Sequence, residues 1–334
     1  MKVSDFLEKS SVFSIGISSS TILSGVGKIV FDEGIQFAYD GNIYFQSENL
    51  LGIEGSVEKK SFFDFLSKIK DKEIESETTE NLLKIKSGRS VASFVVSEKE
   101  ERPVDFSKCE WKTFSKEVAS CVELASKVCG NDYTNISSTM VHLCGNVIEA
   151  TDEERIIRFR IEEKFDEEIL IPKDLSSVLD KFSPVNYCIF EGWIAFQDKN
   201  SQVLAQRCSS TSGYFDLDSI LEKCKGGTKI SFPENFSECV EKASTFLSDM
   251  KFELDKRISI KCKAGRMKIE SKGSSGSYSE IVPFDSSASF SFSIVPSFLL
   301  EILEKKDSSV FLGEEFLKIK GKNYQFVASL SSEQ

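Results

Sequence analysis

The sequence predicts an α+β protein in which one unit, helices on one face of antiparallel sheets, is used three times in tandem. Two sets of near-copies and a recurring strand-turn pattern predict it. The first set is FLEKSSVF from Phe6, CVELASKV from Cys121 and CVEKASTF from Cys239, with starts 115 and 118 residues apart. The second is FLSKI from Phe65, VLDKF from Val178 and ILEKK from Ile302, at spacings of 113 and 124. Ordered markers recurring at nearly one interval indicate a repeated fold. Short apolar runs separated by turn residues fill the chain between and after the markers, as antiparallel strands require.

The first marker of each unit reads as an amphipathic helix. Val118, Cys121, Val122, Ala125, Val128 and Cys129 share one face in unit two, and Phe236, Cys239, Val240, Ala243, Phe246 and Leu247 share one in unit three. Both follow the i, i+3, i+4, i+7 rule. Unit one shows it more weakly through Val3, Phe6, Leu7 and Phe13. The second marker predicts another helix, with Phe62, Phe65, Leu66 and Ile69 on its apolar face in unit one and Leu175, Val178, Leu179 and Phe182 in unit two. Unit three offers Leu299, Ile302 and Leu303, then a lysine, Lys306, where the period wants an apolar residue. Among the strand segments, the tripeptides DEG, YDG, CGN, KAG and KGK read as hairpin turns. Charge and turn residues cluster at 97–103 (SEKEERP) and 222–229 (EKCKGGTK), which puts the repeats at 1–102, 103–224 and 225–334.

Composition narrows the function. The chain has 334 residues, 40% of them hydrophobic, enough for a core in each unit. No run approaches the ~20 apolar residues of a membrane span. The opening MKVSDFLEKSS places acids where a signal peptide needs an apolar stretch. A cytoplasmic protein with no membrane partner is expected. Nine cysteines form no CxxC pair, and buried free thiols in a reducing compartment are the expected state. The one histidine, His142, sits in the apolar run TMVHL, which suits a core or strand-face residue, so no metal is expected.

Motifs for chemistry fail on inspection. GVGKI from Gly25 lacks the first glycine of a phosphate loop, where Ile22 stands, and the following Ser/Thr, where Ile29 stands. A Ser-His-Asp or Cys-His site has only His142 to draw on, and no spacing singles out a pair among the 53 acids. A non-enzymatic protein without a cofactor is expected, with a carboxylate hydrolase as the enzymatic alternative.

The helical polar faces carry more. Lys9, Lys116, Lys127 and Lys242 lie on first helices; Lys68, Lys181 and Lys305 lie on second helices in one register, with Lys70 just beyond the first of them. Glu8, Glu123 and Glu241 are in register too. Two readings fit: a solvated mixed-charge helix face, or repeated helices lining one surface that contacts phosphates without reading bases. A net charge of −11 argues against a protein coated with nucleic acid, yet permits a local basic surface.

At 149–157 the sequence reads EATDEERII, which resembles the ATDxxR segment of the middle domain of the bacterial-type DNA polymerase sliding clamp. The resemblance extends over nearly the whole chain. Ser61 to Phe94, with SGRS at 87–90, is similar to the family's first-domain helix and following strands, EEILIPKDLSSVLDKF at 167–182 to a second-domain stretch, and GYFDLDSIL at 213–221 to the family's crossover. The shorter, divergent chain suits a phage or viral version. The resemblance implies three clamp repeats per chain and a head-to-tail homodimer closed as a ring around duplex DNA, with helices inside and sheets outside. It further implies a processivity factor that tethers the replicative DNA polymerase and is placed on double-stranded DNA, independently of sequence, by a clamp loader. The resemblance assigns the subunit interface to Ala92 and Phe94 against Phe246 and Leu247. It assigns a partner-peptide pocket to Ile136, Thr151, Glu153, Glu154, Arg155, Ile156, Ile220, Phe326, Ala328 and Leu330. Tyr133 and Asn135 match a DNA-touching loop. Departures are Glu153 and Glu154, where the family has Gly and a basic or polar residue, and Asp216 and Ser329, where it has Pro. Rival readings are a ring of three subunits and a repetitive adaptor protein that does not encircle DNA.

Overall fold

The computed structural model describes residues 1–15, 27–69, 73–79, 81–131, 134–208, 213–252, 255–284, 289–303 and 308–331. The chain divides into two compact units, distinct from the three sequence repeats: unit one is 1–127 with 169–212, and unit two is 128–168 with 213–334. Unit one begins with α1 (Val3–Lys9), β1 (Lys28–Asp32), β2 (Ile35–Tyr39), β3 (Ile43–Glu48), β4 (Gly55–Glu58) and α2 (Lys59–Ser67). It continues with β5 (Glu75–Thr79), β6 (Leu82–Ser87), β7 (Ser90–Val95), β8 (Lys112–Thr113) and α3 (Lys116–Ser126). Unit two takes β9 (Met140–Thr151) and most of β10 (Arg155–Pro172). The chain then adds α4 (Lys173–Ser176), α5 (Leu179–Phe182), β11 (Asn186–Phe190), β12 (Trp193–Gln197) and β13 (Val203–Arg207) to unit one. Unit two resumes with α6 (Leu217–Lys223), β14 (Thr228–Ile230), α7 (Phe236–Thr245), β15 (Ile258–Lys263), β16 (Arg266–Lys272) and β17 (Ser277–Pro283). It ends with β18 (Phe290–Ile294), α8 (Pro296–Leu303), β19 (Ser309–Leu312), β20 (Phe316–Lys320) and β21 (Tyr324–Ser329). No helix among the described residues is long and apolar enough to cross a membrane.

In unit one an antiparallel sheet runs β4-β1-β2-β3-β13-β12-β11-β8, and a second runs β5-β6-β7. The join at β3 and β13 pairs Tyr44 with Ala205 and Phe45 with Leu204, segments that belong to different sequence repeats. The compact units therefore do not coincide with the repeat boundaries expected from the sequence, because a single sheet is assembled across the one expected at 102/103. Its large side chains gather around Trp193, which is 1% exposed and packs on Tyr39, Tyr44 and Phe106. Trp193→Ala is expected to cost about 3–5 kcal/mol in urea unfolding, the range for deleting a large buried aromatic. A loss below about 1 kcal/mol would show that the cluster closes over the space.

The helices form where the periodicity puts them. In α2, Phe62 and Leu66 are fully buried and Phe62 packs edge-on against Phe6 and Phe31. Glu58 starts it, accepting the N–H groups of Lys60 at 3.0 Å and Ser61 at 2.6 Å and satisfying donors that a helix start leaves open. The Ser61 hydroxyl donates to the same carboxylate and is the first reason that its pKa lies below the ordinary glutamate value. Ser115 caps α3, whose Val118, Cys121, Val122 and Ala125 are buried. The second marker of repeat two departs from one continuous helix. It breaks into α4 and α5 at Val178, although Leu175, Val178, Leu179 and Phe182 all remain buried.

Four of the five expected hairpin turns are present, and the left-handed backbone explains two: Gly41 at φ 85° after Asp40, and Ala264–Gly265 at 51° and 75°. CGN is the exception. Residues 140–151 form one continuous strand, β9, in which Gly145 at φ 57° makes a local kink rather than a reversal. The flanking segments pair elsewhere, because the long β10 runs beside β9 in the sheet β14-β19-β20-β21-β10-β9. The other sheet of unit two is β17-β16-β15-β18, and α7 packs on it and on α8. All nine cysteines are free; five are buried, as expected of thiols in apolar registers, three are half-buried, and Cys144 on β9 is exposed.

Candidate functional site

The turn from β9 to β10 in unit two is built by its own side chains. Asp152 accepts the backbone N–H of Arg155 at 2.9 Å with one carboxylate oxygen and its Nε at 2.8 Å with the other. The Thr151 hydroxyl donates to the Arg155 carbonyl at 2.8 Å and accepts the Glu153 N–H at 3.0 Å. The chain then turns through Glu153 at φ 76°, a conformation that costs a non-glycine residue about 1 kcal/mol. A glycine in that place, as the resemblance leads one to expect, suits the same backbone. The Glu153 carboxylate accepts from Asn135 Nδ2 at 2.6 Å. Ser329, standing where proline was expected, donates its N–H to the Glu154 carbonyl at 2.8 Å and its hydroxyl to the Glu154 side chain. A proline has no N–H for the first of these bonds. The Arg155 side chain is 11% exposed and its guanidinium lies 4.5 Å over the Phe298 ring.

Beyond the turn, β10 and β21 pair with Arg155 opposite Ala328, Ile156 opposite Val327 and Ile157 opposite Phe326. Successive strand residues point to opposite faces. One face carries Ile156 and Val327, which bury together with Leu217 and Leu221 of α6, while Tyr214, Phe215, Cys224 and Phe316 pack around them. Phe326 and Ala328 belong to the other face, where they are 1% and 0% exposed. Of the pocket residues expected from the sequence, the apolar cluster therefore contains Ile156 alone. Thr151, Glu153, Glu154 and Arg155 build the turn, Leu330 is half-buried just past β21, and Ile136 and Ile220 are apolar side chains exposed at 39% and 42%. Leu217, Leu221 and Val327 of that cluster are not among the residues expected from the sequence. The i, i+4 spacing of the two leucines on a short helix was the available signal; the alternation of β21 needed its register.

The same face of unit two holds a polar row that is buried at its centre and exposed at its ends, Glu168 and Asp218. His142 Nδ1 lies 2.9 Å from Glu149 and its Nε2 lies 3.0 Å from Glu168. The other Glu149 oxygen lies 2.6 Å from Arg158, which also pairs with Asp218. Burial works against the Arg158 cation, but the two carboxylates outweigh it and raise its pKa above the ordinary arginine value. The His142 ring stacks on Tyr214 at 4.4 Å, and burial drives the Tyr214 pKa well up. Among the described residues no group of three or more His, Cys, Asp or Glu could hold a metal ion.

Six of the ten residues expected to face DNA are exposed lysines in the described structure: Lys9, Lys68, Lys116, Lys127, Lys181 and Lys242. Lys70, Tyr133 and Lys305 lie outside the described residues, and Asn135 is half-buried against Glu153. In unit one, α3 with Lys116 and Lys127 packs on α5 with Lys181. Acids interleave with these cations. Glu123 has its pKa raised by burial and then by Asp180; Lys9 pairs with Glu48 at 3.4 Å, and Lys242 of unit two with Glu238 at 2.8 Å. The helix faces are mixed in sign.

The expected interface residues divide likewise. Ala92 and Phe94 are half-buried, and Phe94 packs on Phe62 and Phe65 within the chain. The neighbouring Val91 and Val95 point the other way and are 59% and 69% exposed on β7, the outer strand of its sheet. The Ser56–Ser97 bridge pairs the chain just past the end of that strand. In unit two Leu247 is 1% exposed and Phe246 stacks on Tyr278 of β17, again an outer strand, where Ile281 is 57% exposed.

No protein-family model and no curated protein matches the sequence. Solved structures match over the full length. A protein described as a DNA polymerase III beta subunit from Eubacterium rectale superposes with a TM-score of 0.79 at 15% identity, covering 99% of this chain and 98% of that one. The beta chain of DNA polymerase III from Streptococcus pneumoniae gives 0.77 at 17%, covering 99% and 98%. The DNA polymerase III subunit beta of Pseudomonas aeruginosa gives 0.75 at 14%, covering 100% and 99%. The chain has the fold of the DNA polymerase III beta sliding clamps.

Proposed function

We propose that the protein is a DNA polymerase processivity factor: a non-catalytic ring that encircles duplex DNA and tethers a polymerase while it slides. The observation that carries this reading is the full-length agreement of fold with DNA polymerase III beta subunits, with neither chain leaving more than 2% uncovered in the comparisons above. The repeats at 1–102, 103–224 and 225–334 supply three clamp units per chain, and two chains joined head to tail make six. A heterologous interface closes only when its rotation brings the last subunit back to the first. The outer strands β7 and β17, each with exposed apolar residues, are the edges on which such a contact is built; an uncovered apolar edge strand otherwise invites aggregation.

Mixed charge on the helices suits this function. Tight phosphate contacts resist sliding, whereas a ring is retained by topology and needs only weak, sequence-independent attraction. Lys9, Lys68, Lys70, Lys116, Lys127, Lys181, Lys242 and Lys305, with Tyr133 and Asn135, form the proposed DNA-facing set. The cluster of Ile156, Leu217, Leu221 and Val327 and the turn at 151–155 form the proposed polymerase-docking region, and a clamp loader opens the ring. Light scattering with negative-stain imaging tests the reading first. The expected result is a particle of two chains with a central hole. A compact monomer that binds linear and circular DNA alike would favour the adaptor reading, and three chains per ring would replace the dimer.

A further inference from the structure

Beside the apolar cluster of unit two lies a cavity of about 390 Å³ that the proposed function leaves unused. Its floor is the face of β20, β21 and β10 that carries Ile156 and Val327 at one end. Strand pairing arranges that face in rows. Lys318, Val327 and Ile156 make the first row; Lys320, Gln325 and Arg158 make the second. Past the strand end, Lys322 of the turn and Arg160 follow, with the Arg160 N–H donating to the Asn323 carbonyl at 2.8 Å. The surface thus changes from apolar to basic along the strand direction.

The charges are unbalanced. Six cations line the cavity, Arg158, Arg160, Lys225, Lys318, Lys320 and Lys322, against two acids, Asp218 and Glu222. Both acids are engaged, Asp218 by Arg158 and Glu222 by Lys225. Lys318 is held by the carbonyls of Cys224 and Gly226 at 2.8 and 3.1 Å, where burial lowers its pKa. Among the described residues no carboxylate lies within ion-pair distance of Arg160, Lys320 or Lys322, all of which are exposed.

We propose that this cavity binds an acidic peptide segment in extended form, with carboxylate side chains at alternate positions. Alternate residues of an extended chain stand roughly 7 Å apart, so successive carboxylates can reach the cations without an acidic partner, Arg160, Lys320 and Lys322, while Lys318 and Arg158 keep the partners they have. Arginine and lysine in register along a groove favour spaced carboxylates through charge-assisted hydrogen bonds. The inference does not depend on DNA encirclement.

The test uses the full chain and a short fluorescein-labelled peptide with glutamate at alternate positions, followed by anisotropy, with a glutamine version as control. The glutamate peptide is expected to bind at least about tenfold more tightly at low salt, and the advantage is expected to shrink as salt screens it. Lys320→Glu with Lys322→Glu is expected to abolish that advantage, the milder Lys320→Gln with Lys322→Gln to reduce it, and Lys9→Glu with Lys68→Glu to leave it unchanged. Equal binding of the two peptides, or equal loss in the Lys9/Lys68 variant, would overturn the proposal. So would a short DNA duplex that displaces the peptide and shows the same dependence on Lys320 and Lys322, since it would identify the cavity as a nucleic-acid site.

Discussion

Replacing Val91 and Val95 together by lysine is expected to abolish retention on circular duplex DNA while leaving the fold intact. Both valines are more than half exposed on β7 and face away from Phe62 and Phe65, so the chain's own core does not need them. Lysines on an outer strand are a recognised barrier to edge pairing, because joining two strands would strip water from the charges. The expected solution mass is one chain, circular dichroism is expected to be unchanged, and release from nicked circular DNA is expected to become as fast as from linear DNA. Lys68→Glu, by contrast, is expected to change retention little, since one exposed charge contributes weakly where topology holds the ring. Continued retention of the double lysine variant on circular DNA, with its mass at one chain, would contradict encirclement.

The second large effect is expected from Arg158→Met. Glu149 is 5% exposed and depends on Arg158 at 2.6 Å and on His142 at 2.9 Å. Removing one member of a buried ion pair leaves the other charge dehydrated, which costs about 3–5 kcal/mol. The loss is expected in urea unfolding as a fall in midpoint without a change in slope. Glu149→Gln in the same chain is expected to recover a large part of it, because the orphaned charge is gone. A loss below about 1 kcal/mol for the single variant would mean that His142 and solvent satisfy Glu149 unaided.

The packing of the helices was legible without coordinates. Val118, Cys121, Val122 and Ala125, like Phe236, Cys239, Val240 and Ala243, repeat at the helical period, and all are buried in α3 and α7. Local turn chemistry was equally readable at Asp40–Gly41 and Ala264–Gly265. It failed at Cys144–Gly145–Asn146, where the same residue types mark a kink inside β9. A left-handed glycine permits either outcome, and which one occurs depends on the strand that pairs alongside.

Local sequence alone therefore determined the helix faces, most of the hairpins and, through recurrence, a unit used three times. Tertiary structure decided which residues of those strands face the same way. Phe326 and Val327 are adjacent, yet one enters the core and the other joins Ile156 beneath α6, because β21 pairs with β10 across some 170 residues of chain and a shift of one residue reverses every side chain. That same pairing brings Lys320, Gln325 and Arg158 into one row. Residues remote in sequence become one surface only when the register between them is set.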